Sequence, residues 1–126
     1  MAAHPLRLNC RLIHVGTIMN FQAVAAQFAA AESGTDSFKS LYKEAFRLVE
    51  TDADNAGLYF VIAVIAQAYV RRYEDEAVPT EMADRAKALL EKFNAKIVQG
   101  LDADAATCLR LLGEVAQEYQ VEVADF

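Results

Sequence analysis

Residues Thr51–Glu76 read TDADNAGLYFVIAVIAQAYVRRYEDE, and from Asn55 to Val70 there is no charged residue. Such a run crosses a membrane, fills a core or meets a partner. At 1.5 Å per residue the uncharged part makes a helix of about 24 Å, short of the ~30 Å hydrocarbon core of a bilayer. Asp52 and Asp54 bound it on one side; Arg71, Arg72, Glu74, Asp75 and Glu76 bound it on the other. The β-branched FVIAVI would suit a strand, but the run is longer than an average strand and has no turn signal inside it. A helix apolar nearly all round belongs inside a protein. The stretch reads as a buried helix.

The same frame recurs fifty positions on, where Leu101–Gln120 reads LDADAATCLRLLGEVAQEYQ. Asp52, Ala53, Asp54 and Ala56 match Asp102, Ala103, Asp104 and Ala106. Ala66, Gln67 and Tyr69 match Ala116, Gln117 and Tyr119 without a gap. Leu58, Ile62 and Ile65 meet Cys108, Leu112 and Val115, apolar against apolar. An Asp at a helix N-cap accepts from an unpaired backbone N–H and suits the positive end of the helix. The DAD triplets, Asp52 with Asp54 and Asp102 with Asp104, are therefore expected to cap two helices. Positions 58, 62, 65, 66 and 69 step by three and four, as one buried stripe does.

Each of these helices follows another amphipathic one. SFKSLYKEAFRLVE places Phe38, Leu41, Tyr42, Ala45 and Val49 on one face. EMADRAKALLEKFNAKIVQG does the same with Met82, Ala86, Leu89, Leu90, Phe93 and Ile97, and ends at Gly100. The expected fold is all-α: a small bundle of two stacked helical hairpins, residues 36–76 and 79–120. A short helix over 20–32 precedes them, with Asn20 as cap, Phe21, Val24 and Phe28 as its stripe and Gly34 as terminator. Residues 1–18 read as an extended arm or an over-long start, with Leu6, Leu8, Cys10 and Leu12 alternating with polar neighbours; 19–126 form one domain. A transit or secretory segment fits this stretch less well.

Composition agrees. The 126 residues are rich in helix formers and poor in Gly and Pro, and the length suffices to bury roughly two thirds of the unfolded chain's surface. The net charge is −6, and residues 1–31 hold Arg7 and Arg11 but no acid. An acidic body disfavours nucleic acid and would suit a basic protein partner, although acidity also serves solubility. Two cysteines, Cys10 and Cys108, make no disulfide framework and point to a reducing, cytoplasmic setting.

The differences between the two copies carry the functional expectation. Phe60, Val64 and Ala68, spaced i, i+4 and i+8 on one helix side, stand where the second copy has Arg110, Glu114 and Glu118. Fully burying Phe60 and Val64 contributes about 1.5–3 kcal/mol each, so something outside the repeat should cover them. Helix 20–32 is expected over the centre of this face and a second protomer over the remainder. Tyr59 and Tyr73 are candidates for the same interface, where tyrosine is enriched, and Arg71, Arg72 and Glu74 supply rim charge.

Chemistry is sparse. DADNAG opens like a calcium loop but has Ala56 at its fifth position and Ala63 at its twelfth, where a bidentate Glu is needed. His4, Cys10 and His14 fall short of a four-ligand zinc site. Glu74, Asp75, Glu76 and Glu81 flank the Val78-Pro79 turn as a solvated run rather than a catalytic pair. The sequence thus predicts a non-enzymatic, acidic, homo-oligomeric interaction module of adaptor, chaperone or inhibitor type, with no cofactor, nucleic acid or membrane. The alternative is a bundle holding a small hydrophobic ligand in its core.

Overall fold

The uncharged run becomes the central helix. The computed structural model describes residues 19–123 and is helical throughout, with no strand among them. In chain order the helices are α1 (Phe21–Ala30), α2 (Thr35–Thr51), a 3₁₀ turn (Ala53–Asn55), α3 (Ala56–Tyr73), α4 (Thr80–Leu101) and α5 (Ala105–Glu122). Helix α2 packs most extensively on α3, and α4 on α5; α1 lies across α2 and α4, and α3 also touches α4. The expected N-terminal arm, residues 1–18, lies outside the described residues.

Local chemistry explains the first two helices. The Asn20 carboxamide oxygen accepts from the Ala23 N–H at 2.8 Å and caps α1. Phe21, Val24 and Phe28 then bury one stripe. The far end of α1 is held by Lys87 of α4, a nearly buried ammonium that donates to the Ala29 carbonyl at 2.9 Å and pairs with Glu91 at 2.8 Å. A cation there suits the negative helix end. Ser33 donates to Asp84 at 2.6 Å, tying the α1–α2 turn to α4. Gly34 does not terminate α1, which stops at Ala30; it stands instead at the N-cap position of α2. On α2 the fully buried residues are Phe38, Leu41, Ala45 and Leu48, while Tyr42 and Val49, expected inside, are half-buried.

The core is joined by rings. Phe28 of α1 meets Phe38 of α2 edge-on at 5.2 Å, Phe38 stacks on Tyr69 of α3 at 4.2 Å, and Tyr69 leans on Tyr73 at 4.9 Å. Burial pushes the Tyr69 hydroxyl above its ordinary pKa. By length and mean hydropathy, 1.3, Ala53–Tyr73 is apolar enough to cross a membrane. Its Leu58, Ile62, Ala63, Ile65, Ala66, Tyr69 and Val70 form the middle of this core.

The two DAD triplets behave differently, which corrects the expectation of matched caps. Asp104 caps α5, its carboxylate accepting from the Thr107 N–H at 2.8 Å. Asp102 instead ends α4, which runs on through Gly100 to Leu101. In the first copy Asp52 closes α2, and its carboxylate accepts from Asn55 Nδ2 at 2.9 Å and from the Tyr59 hydroxyl at 2.7 Å. A 3₁₀ turn carrying exposed Asp54 intervenes, and α3 starts after Asn55 with no side-chain cap. The first aspartate closes the preceding helix in both copies; they part at the second, where Ala105 and Leu109 stand in place of Asn55 and Tyr59 and Asp104 caps α5.

The shared stripe diverges as well. Leu58, Ile62, Ile65, Ala66 and Tyr69 are all buried, whereas Cys108, Leu112 and Tyr119 are half-buried and Ala116 is exposed. Helix α5 buries fully only Leu111 and Val115, because its substantial contacts are with α4 alone.

Two measurements check this description. Phe38→Ala should cost about 3–5 kcal/mol in urea unfolding, the range for deleting a fully buried ring. Thr107 holds the Asp104 carboxyl below its usual pKa, so the charge-dependent part of this cap is present above the ordinary aspartate range and is lost as pH falls through the lowered value. Asp104→Ala should therefore lower the melting temperature at neutral pH, with the gap to wild type closing in strong acid, while Asp102→Ala should leave it unchanged.

Candidate functional site

Helix α3 turns its apolar surface in two directions. One is the core; the other carries Phe60, Val64 and Ala68 on a single side. Phe60 is 49% exposed, Val64 half-buried and Ala68 exposed. Gly57 and half-buried Val61 adjoin them, and a methyl group placed on Gly57 would meet no atom within 4 Å. Helix α1 does not cover this side, contrary to expectation. Its Phe21 ring packs on Tyr59 at 5.7 Å and its Phe28 on Phe38, which places it over α2 and α4 instead.

The rim of α2 borders Phe60. The Phe46 ring approaches Phe60 edge-on at 6.1 Å, and Tyr42 meets Phe46 in the same manner at 6.2 Å. Tyr42, Phe46, Phe60 and Val64 thus form one partly exposed apolar band along the α2–α3 seam. Phe46 escaped the sequence reading, although it stands one helical turn from Tyr42, a spacing that puts both on the same edge.

The remaining expected residues separate. Tyr59 is buried, 3% exposed, with its hydroxyl on Asp52, so it is no surface group. One position along the helix is a rotation of about 100°, enough to carry Tyr59 inward while Phe60 turns out. Tyr73 is buried too. Arg71 and Arg72 are exposed at the C-terminal end of the face, the Arg72 guanidinium lying 5.1 Å from the centre of the Tyr73 ring. Glu74 is exposed but pairs with Lys39 of α2. At the opposite end Glu50 and Asp54 are exposed, and Asp75 and Glu76 are exposed just beyond the arginines, so both ends of the face are charged.

The equivalent seam of the other helix pair is closed by charge. Lys92 pairs with Glu118 at 2.7 Å and Lys96 with Glu114 at 3.1 Å across it, while Arg110 pairs with Glu114 at 2.6 Å within α5. Lys96 first, and Arg110 with it, hold the Glu114 carboxyl below its usual pKa. Leu109 and Val121 of α5 are individually more exposed than Phe60, at 70% and 74%. They lie about a third of a turn apart on the helix surface and form no comparable band.

Other sites are poor. Among the described residues no group of three or more His, Cys, Asp or Glu is placed to hold a metal ion, and His4, Cys10 and His14 lie outside them. Two surface hollows have volumes of about 270 Å³, between Leu89, Lys92 and Glu118, and about 80 Å³, beside Val24 and Phe28. Both fall below the ~300–1,000 Å³ usual for a small-molecule pocket.

No known family, curated protein or solved structure matches this chain.

Neighbouring positions on α3 should respond differently to substitution. Tyr59→Phe removes a buried hydrogen bond to Asp52 and should cost about 1 kcal/mol in chemical unfolding. Phe60→Ala, measured in dilute protein, should cost less than about 1 kcal/mol, because half of the ring already faces water.

Proposed function

We propose that this chain is a non-enzymatic, acidic helical interaction module whose working surface is the Phe60 side of α3, extended by Phe46 and Tyr42. One observation carries the reading. Where two ion pairs bridge the helices of the second pair, the first presents a continuous band of rings and aliphatic groups with Phe60 half in solvent. Contiguous apolar surface of this kind, rimmed by charge, is characteristic of protein–protein contact. Arg71, Arg72, Asp75 and Glu76 at one end and Glu50 and Asp54 at the other rim the band with charge. In this reading the bundle is two stacked hairpins, one serving as the binding face and the other as its support. The net charge of −6 favours a basic partner over nucleic acid, and neither cofactor nor catalysis is involved. Adaptor, chaperone and inhibitor roles all use such a surface.

The test is a pair of proteins differing only on this face. Phe60→Asp combined with Val64→Glu should leave thermal unfolding in dilute solution within a few degrees of wild type, since neither side chain is fully buried. The same variant, immobilised, should lose the saturable partner that wild type retains from a native lysate. If it keeps every partner that wild type holds, itself included, the Phe60 side is not the working surface.

A further inference from the structure

The α4–α5 connection differs from the other turns among the described residues. Pro79 stands between α3 and α4, Gly34 stands between α1 and α2, and Asp52 ties the α2–α3 turn to Asn55 and Tyr59. Between Leu101 and Ala105 there are only Asp102, Ala103 and Asp104, with neither glycine nor proline. The Ala103 N–H still bonds to the Gly100 carbonyl at 3.2 Å, so tight helical winding continues that far. Asp104, at φ −70° and ψ 168°, is where the chain leaves it and where its carboxylate caps α5. We propose that this turn can straighten, making α4 and α5 one helix, and that α5 is thereby exchanged between two copies of the chain, each α5 seating on the α4 of the other.

Helical phase carries the inference. Lys92 and Lys96 pair with Glu118 and Glu114, Gly100 lies against Cys108 and Leu111, and Leu89 and Glu122 flank one hollow of the same seam. With position 104 between the two sets, positions 89, 92, 96, 100, 104, 108, 111, 114, 118 and 122 step by three and four without a break. That is the spacing of one face of one continuous helix. A hairpin requires no such agreement between its arms, because the turn resets the phase. An exchanged pair does require it, since two straight helices must meet along their whole length.

Symmetry agrees. Both ion pairs are centred on position 105, so a two-fold axis there remakes each of them, twice, between copies. Helix α5 makes substantial contact with α4 alone, so exchange sacrifices none of that packing. What it sacrifices is the Asp104 cap, once in each copy, and it brings two Asp104 carboxylates to one seam beside the axis. Asp104 therefore holds the chain closed, and the exchanged dimer is a minor form that concentration draws out. The seam is separate from the Phe60 side, and the inference does not rest on that side being an interaction surface.

The experiment is sedimentation equilibrium of the full chain up to about 1 mM at near-physiological salt. Asp104→Ala should dimerise about tenfold or more tightly than wild type, because the lost cap no longer favours the closed form in either copy. Adding Ala103→Gly, which disfavours helix across the turn, should undo most of that gain. Charge reversal identifies the contact. Lys92→Glu with Lys96→Glu makes one variant, and Glu114→Lys with Glu118→Lys the other. Each sets like charges across its own seam, and only an exchanged heterodimer satisfies both seams. An equimolar mixture should give a heterodimer about tenfold or more tighter than either homodimer. Circular dichroism confirms folding, and Lys92→Glu mixed with Glu118→Lys replaces any double variant that fails it. Phe60→Asp with Val64→Glu should leave the Asp104→Ala dimer unchanged. An Asp104→Ala chain that stays monomeric throughout overturns the exchange. A mixture without preference for the heterodimer overturns it too, as does a dimer abolished by the Phe60 and Val64 changes, which belongs to the Phe60 side instead.

Discussion

The meeting of Phe28, Phe38 and Tyr69 holds the bundle together. Three helices contribute one ring each, and the middle ring is entirely shielded from water, edge-on to one neighbour and stacked on the other. Such geometry adds about 0.5–1.5 kcal/mol per pair beyond the area buried. It also fixes where α1 can lie. A helix of only ten residues has little intrinsic stability, so its position is set by what it packs on. With Phe28 on Phe38, Phe21 on Tyr59 and Lys87 at its C-terminal carbonyls, α1 is committed to the α2–α4 side. The other side of α3 is left open as a direct result.

The helices and the buried character of the central one were legible because both follow from local periodicity. Asn20 before a stripe at Phe21, Val24 and Phe28 is enough to define α1, and the uncharged run is enough to define α3 as a core helix. The placement of α1 was not legible, since a stripe states that a helix buries a face and not against what. Phe46 lay one position off the expected face of α2, where a helical edge passes from buried to exposed. Lys87 and Asn94 of α4 are buried, and neither residue type announces this; Lys87 is explained only by a carbonyl from a helix distant in sequence. The repeat misled most at Asp52 and Asp54. Identical triplets part at their second aspartate, which is followed by an asparagine and a tyrosine in one copy and by an alanine and a leucine in the other.

That divergence runs through the whole molecule. The α4–α5 seam carries partly exposed ion pairs, which contribute little to stability but keep the edge wet. The α2–α3 seam carries rings that gain from any further loss of water. Two helix pairs with a common frame have thus acquired opposite surfaces, through differences at Phe60, Val64 and Ala68 on one side of a helix. The buried stripe changed with them, since α3 is enclosed by neighbours and α5 is not.

Helix α5 makes substantial contact with a single neighbour and fully buries two side chains, Leu111 and Val115. It buries fewer side chains than any other long helix, so it is expected to open more readily than the rest of the bundle. Its amide protons are expected to exchange with solvent through a local excursion that leaves the Phe38 ring in place. A protease that nicks the Asp102–Asp104 turn is expected to leave the other four helices assembled.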